Sequence, residues 1–447
     1  MDLLEYCKKL VDETLKLGVD ASDAYGVDAK TIKIELEKGA IKTAKIIHDV
    51  GIGIRAIFKG SMGYSYTASL DVDLSDIAQK AVKAAKAGYP DPDFKDLPRP
   101  SKYPNPQRLY DSKIASITPE ELIDLCSSLA KKAEMDKVYS VNITIESSIF
   151  KCFIVNSNGV EGVEEGTYLS LGAYVTAKDG TNMSSSYEGD AVRILSDLDP
   201  EKLVLKAAED AIKGLNAKHY KTTRTSVILA EKVLLTIIAE GLVSALNADL
   251  VQRGRSYMTP KINTKIGVDE LTIINDGLID GGLLTRRFDV EGTPKQRHAL
   301  IEKGIVKGLL HNSYTAGKAG VESTGNATRS GGDLDFRGQV TIASSNIIVE
   351  IGDWSLNEMI QEVKDGLLIL NTYDTPNIAT GDLSAMITHG YIIEKGEVTT
   401  PVKQTLFAIN LLDLVKNIKA IGKERAKYFN LYSPPILVSD VQVSSKA

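Results

Sequence analysis

Cysteine, histidine and tryptophan are scarce in this chain: 447 residues hold three cysteines, five histidines and one tryptophan. Cys7, Cys126 and Cys152 all fall in the N-terminal half, with no paired spacing. That excludes a disulfide framework or a zinc knuckle, and the three read as small buried hydrophobes. No two of His48, His219, His298, His311 and His389 are close enough in sequence to ligate from one helix. Histidine and cysteine are zinc's usual nitrogen and sulfur ligands, so a self-contained zinc site is not expected. An all-carboxylate magnesium or calcium site stays open. A basic excess is missing too. The net charge is −6, which argues against DNA or RNA as a direct partner. No apolar run approaches the roughly 20 residues that span a bilayer. The opening MDLLEYCKKLVDETLKLG is amphipathic, with no basic stretch before an apolar one. No membrane association and a cytoplasmic location are therefore expected. EF-hand, Walker-type and Gly-x-Ser-x-Gly motifs are absent.

What is present is ordinary globular composition, 43% apolar and 25% charged, on a chain long enough for two or three domains. Leu3, Cys7, Leu10 and Val11 recur at helical steps over 2–17, and Gly18 is placed to end that helix. The period then changes to two: Ile32, Ile34 and Leu36 alternate with charged residues. Strands are expected near 41–48, 50–58 and 61–68, with turns at Lys38-Gly39 and Lys59-Gly60 and a helix over 74–87. Six of the fourteen prolines lie in 89–106, an extended connector. Thr118-Pro119-Glu120-Glu121 opens a helix to about Met135 with a capping box. Strands follow near 139–146, 149–156 and 168–177, with a turn at Asn158-Gly159, and Asp199-Pro200 starts a helix to Gly214. The order helix, strands, helix thus occurs twice. GIRAIFKGSMGYSY (53–66) and GAYVTAKDGTNMSSSY (172–187) are loosely alike, which fits a duplication and equally a chance match of β-rich segments. In Val50-Gly51-Ile52-Gly53 the glycines suit close packing in a strand better than a dinucleotide fingerprint.

Beyond 225 the texture is one of short apolar strands broken by glycine turns. They are expected at 271–275, 298–310, 339–350, 367–370 and 383–393. Val227-Ile228-Leu229 reads as a buried strand. Helices are expected at 231–247, after the Ser355/Glu358 cap, and over about 405–420. The fold class is α+β, with N-terminal antiparallel sheet units (1–220) flanked by helices and a strand-rich C-terminal domain (221–447) carrying a few helices.

Three stretches carry a resemblance: AEGLVSALNADLVQRGRSY (239–257), DGLIDGGLLTRRFDVEGTPKQRHALIEKGIVKGLLHNSYTAGKAG (276–320) and STGNATR (323–329). They resemble the C-terminal domain of the TldD/PmbA peptidase family, and residues 23–69 resemble the family's opening β-unit. The family comprises two related subunits. The catalytic one carries His-Glu-x-x-x-His on a helix plus a cysteine near the C terminus, and these bind zinc. Histidines five apart differ by about 140° on a regular helix, so the helix must widen there. In this chain the motif falls on 239–244. Ala239 and Ser244 replace both histidines, Glu240 alone is retained, and no cysteine follows Cys152. The resemblance, including Phe288-Asp289-Val290-Glu291-Gly292, is therefore to the metal-free TldE/PmbA-like subunit. It implies no metal and no catalytic residue in this chain, with zinc in a TldD-like partner of a heterodimer or higher assembly. A homodimer when alone stays open, and the implied substrates are unfolded or modified peptides. Glu240 also reads as a solvated structural carboxylate. Gly325, Asn326 and Arg329 are substrate-binding candidates that read more readily as parts of a turn capped by Asn326. Two rival functions are a homodimeric peptide-binding protein and an independent carboxylate-based hydrolase using Glu240. Relatives also carry an older label as DNA gyrase modulators, which the acidic balance does not favour.

Overall fold

The computed structural model describes residues 2–259 and 261–445. The N-terminal half is built on one antiparallel sheet of six long strands: β1 (Ala21–Glu37), β2 (Ala40–Phe58), β3 (Ser61–Thr67), β4 (Val138–Asn156), β5 (Glu161–Asp179) and β6 (Asn182–Val192). Their order is β3-β2-β1-β4-β5-β6. Helix α1 (Leu3–Lys16) and helix α2 (Leu74–Ala87) bracket the first three strands in sequence. After the short α3 (Ser112–Ser116), α4 (Pro119–Lys132) and α5 (Pro200–Gly214) bracket the second three.

The same helix-strand-strand-strand-helix unit therefore occurs twice, and the two units meet where β1 pairs antiparallel with β4, from Asp23↔Asn156 to Glu37↔Asn142. The two look-alike phrases fall on equivalent hairpins, β2–β3 and β5–β6. Both expected capping boxes form, Thr118 with Glu121 and Ser355 with Glu358.

The strands are longer than the sequence pattern suggests. The segments expected at 41–48 and 50–58 are one strand, as are 139–146 and 149–156. The reason lies in what covers them. The first half of β2 is largely exposed, whereas its second half, Gly51–Ile57, is buried on both faces. Hydrophobicity changes along the strand while its pairing with β1 runs on through Asp49.

Helices α1 and α2 cover one end of the sheet over Ile52, Ile54 and Phe153, and α4 and α5 cover the other end over Ile34, Ile143 and Leu171. The opposite face packs Tyr25, Val27, Phe150 and Ile154 against Phe288, Val290 and Phe336 of the C-terminal half. Gly51 and Gly53 permit that contact. A Cβ on Gly53 would stand 1.9 Å from the Phe336 carbonyl oxygen, and one on Gly51 2.2 Å from the Phe336 ring. Close packing is thus what these glycines are for.

The C-terminal half carries two mixed sheets. The eight-stranded one runs Asp382–Met386, Thr405–Asn410, Ile436–Ser445, Thr223–Leu229, Gly366–Asn371, His389–Glu394 and Glu397–Pro401, with Ile418–Ile421 also paired to Ile436–Ser445. The six-stranded one includes Ile273–Asp276, Arg297–Glu302 and Asn346–Val349. The helix expected over 405–420 is corrected to strand Thr405–Asn410, helix Leu411–Lys416 and strand Ile418–Ile421. Asn410 supplies the boundary, its side chain accepting from the Leu412 N–H at 3.0 Å. No helix among the described residues is long and apolar enough to cross a membrane.

Candidate functional site

The segment expected as one helix over 231–247 changes pitch along its length. Glu231–Leu234 is α-helical, Leu235–Val243 widens to π spacing, and Ser244–Leu246 closes as a 3-10 turn. The widening falls where the five-residue motif spacing demands it. It places residues i and i+5 together: the Ser244 hydroxyl donates to the Ala239 carbonyl at 3.0 Å. Gly241 lies against neighbouring elements, since a Cβ there would be 2.6 Å from Leu411 Cδ1 and 2.8 Å from Pro376 Cγ. The Tyr257 hydroxyl donates to the Gly241 carbonyl at 3.3 Å.

Around this helix the donor set for a metal is missing. Ala239 presents a buried methyl, and the Ser244 oxygen is already engaged. Glu240 is exposed and makes no hydrogen bond or ion pair among the described residues; partial burial raises its pKa. Among the described residues no three His, Cys, Asp or Glu side chains are grouped as metal ligands. Cys7, Cys126 and Cys152 are free and buried in the N-terminal half. The residues at the family's ligand positions therefore do not fit zinc.

The densest polar chemistry lies at the seam between the two halves. Arg55, on β2, is fully buried and pairs with Asp23 of β1 and with Glu291 at 2.9 Å. Glu291 also accepts from the Ser313 N–H at 2.8 Å and the Ser313 hydroxyl at 2.7 Å, at the start of helix Ser313–Ala319. Asp289 is buried beside it. Burial, and then the Glu291 charge, raise the Asp289 pKa. The Lys295 charge opposes that rise, as do three backbone donors, from Thr293, Glu291 and Ala327. Arg286 pairs with Glu164 of β5 across the same seam. Burial is the largest single influence and lowers its pKa; the charges around it, Glu164 first and Asp333 among them, together hold it well above the ordinary value.

Two of the clefts along this seam are bordered by these arginines. One, of about 590 Å³, is polar and bordered by Arg55, Tyr64, Asp91, Arg253, Tyr314 and Gln339. The other, of about 530 Å³, is walled by Phe150, Leu283, Leu334 and Phe429, with Arg193, Arg286, Lys295 and Asp333 also facing it.

The sequence-predicted binding residues sit beside these clefts and border neither of them. Gly325 adopts a left-handed φ of 68° in the turn before Asn326. Asn326 is fully buried; its amide donates to the Ala343 carbonyl at 2.9 Å, and its oxygen accepts from the Thr324 hydroxyl at 2.8 Å. The buried Arg329 donates to the Gly338 carbonyl at 3.2 Å and stacks 5.2 Å over the Tyr25 ring. Glu240, on the wide helix, borders neither cleft. Sequence reasoning missed Arg55, Arg193, Arg286 and Lys295. The available signal was a cation inside an apolar strand run, as in Ile54-Arg55-Ala56-Ile57 and Val192-Arg193-Ile194.

Comparisons with known proteins agree with this architecture. Family models for the PmbA/TldA metallopeptidase match as domain 1 over 22–87, the central domain over 112–215 and the C-terminal domain over 222–445. The chain belongs to the PmbA/TldD metallopeptidase family. It is 26% identical to an uncharacterized protein of Methanocaldococcus jannaschii over 96% of this chain and 98% of that one. It is also 26% identical to the metalloprotease PmbA of Escherichia coli O157:H7 over 98% and 96%. Among solved structures, TldE of Thermococcus kodakarensis superposes with a TM-score of 0.87 at 24% identity, covering 98% of this chain and 99% of that one. A Thermotoga maritima protein described as a candidate modulator of a DNA gyrase superposes at 0.88 and 23% identity, covering 99% and 100%. These likenesses establish the shared α+β fold.

Proposed function

We propose that this chain is the metal-free, TldE-like subunit of a heteromeric zinc peptidase, paired with a histidine-bearing homologue that holds the metal. The observation that carries this reading is the wide helix. It keeps the pitch that five-residue ligand spacing requires, yet places a methyl at 239 and an engaged hydroxyl at 244. The implied substrate is an extended peptide, unfolded or modified. Strand Asp382–Met386 ends the eight-stranded sheet, pairing on one side with Thr405–Asn410. Its outer edge is already partly taken by the loop before it: the Asn377 N–H donates to the Asp382 carbonyl at 2.9 Å, the Asp382 N–H donates to the Thr380 hydroxyl at 3.3 Å and the Met386 N–H donates to Asp374 at 2.7 Å, so an added strand would have to displace these contacts. The loop entering that strand includes Pro376, which packs at Gly241. The subunit's part in this scheme is to hold peptide and complete the chamber, without supplying ligands.

The test is co-expression with a histidine-bearing relative. A mixed complex containing zinc, with cleavage of an unfolded peptide only in the mixture, is expected. Full peptidase activity of this chain alone would sink the reading. Mass measurement of the isolated chain separates monomer from homodimer, and peptide affinity without any catalytic homologue in the cell would favour the homodimeric binder. The exposed, unpartnered Glu240 with its raised pKa is the one observation that favours an independent carboxylate hydrolase. Glu240→Gln should leave any turnover unchanged under the preferred reading.

A further inference from the structure

The apolar seam cleft is lined by more cations than acids. Its walls are Phe150, Leu283, Leu334 and Phe429, and its volume of about 530 Å³ suits a small ligand. Three cations border it. Arg286 is occupied by Glu164 and lies 3.5 Å from Asp333. Arg193 is 97% buried; it donates to the Thr167 carbonyl at 3.4 Å and the Thr285 carbonyl at 3.1 Å, and its Nε has no partner. Lys295 is 94% buried; its ammonium makes no hydrogen bond or close ion pair among the described residues, and its charge acts at longer range on Asp289 and Asp333. The nearby acids are otherwise engaged. Asp333 accepts from the Thr328 hydroxyl at 2.6 Å and faces Arg286, and Asp289 is held by backbone donors. An ammonium beside an apolar wall with no hydrogen-bonded or closely paired acid is only partly compensated, and an anion entering the cleft would pair with it.

We propose that this cleft binds a carboxylate carried on an apolar body, with Lys295 and Arg193 receiving the carboxylate and the Phe150, Leu334 and Phe429 side chains receiving the body. One facing carboxylate, Asp333, argues against a multiply charged anion such as phosphate. Two sources share the required chemistry: the C-terminal residue of a peptide and a short fatty acid. The proposal requires neither a partner subunit nor turnover, so it stands or falls separately from the peptidase reading.

The experiment is titration calorimetry on the full chain with four probes: N-acetyl-phenylalanine, its amide, octanoate and octanamide. Each acid that binds should do so at least about tenfold more tightly than its amide. Tighter binding of the acylated amino acid assigns the site to peptide ends, and tighter binding of octanoate to fatty acids. Lys295→Met, which keeps the stem and removes the charge, should weaken the acids about tenfold and leave the amides unchanged. Leu284 lies at the cleft and is partly exposed, so Leu284→Trp should fold and obstruct both acids. Equal binding of acid and amide, no binding of either acid at millimolar concentration, or wild-type affinity in either variant overturns the proposal.

Discussion

Arg55 shows how one side chain can join two halves of a protein. Its guanidinium is fully buried between Asp23 of β1 and Glu291 of the C-terminal half. Removing one partner of such a group strands the others, so Arg55→Met should lower stability by about 3–5 kcal/mol. Arg99→Met, at an exposed ion pair, should change it by less than about 0.5 kcal/mol. Urea denaturation of both variants is the measurement. His298 gives a pH-dependent counterpart. Burial, then His311 and Lys295, push its pKa down to about 4, and neither ring nitrogen has a hydrogen-bond partner. The folded state therefore holds it neutral, while the unfolded chain protonates it near about 6.5. The stability this supports is complete above about pH 6.5 and is lost as pH falls towards about 4. His298→Leu should flatten that slope, read as a smaller change in urea midpoint than wild type between about pH 7 and pH 5.

At the scale of elements, two glycines act as packing surfaces. Gly53→Ala would drive a Cβ into the Phe336 carbonyl, a backbone atom held by its own segment. A loss of about 3 kcal/mol in denaturation free energy is expected. Gly241→Ala meets Leu411 and Pro376 side chains, which can adjust, so about 1–2 kcal/mol is expected. The elements were unevenly legible. The capped helices at Pro119 and Leu356 stand where local signals place them, because a capping box is complete within four residues. The wide helix was legible through its motif spacing. Strand continuity at Asp49 and Ser147 was not, because it depends on ladder partners such as Asp28↔Val50 and Thr31↔Ser148, which lie far away in sequence. The segment 405–420 misled for the same reason: Leu406 and Ala408 pair with Met386 and Ser384.

At the scale of the whole molecule, the seam unites the two halves. Arg55–Glu291 and Arg286–Glu164 cross it, and so does the packing of Phe288 and Phe336 on the N-terminal sheet. Unfolding should therefore be cooperative across both halves. The single tryptophan, Trp354, lies in the C-terminal half, and the long β1–β6 sheet contributes much of the far-ultraviolet dichroism. Denaturant transitions followed by tryptophan fluorescence and by circular dichroism should coincide; separate midpoints would show two independent units. The sequence by itself determined the α+β class, the repeated helix-strand unit, the family resemblance and the absence of histidine at 239 and 244. These depend on residue identity and short-range periodicity. Only the tertiary structure decided that Asn326 and Arg329 are buried beside the seam clefts, and that Arg193 and Lys295 face one together. Residues 193 and 295 stand far apart in the chain, and no local pattern records which charges share a cavity once two sheets close over it.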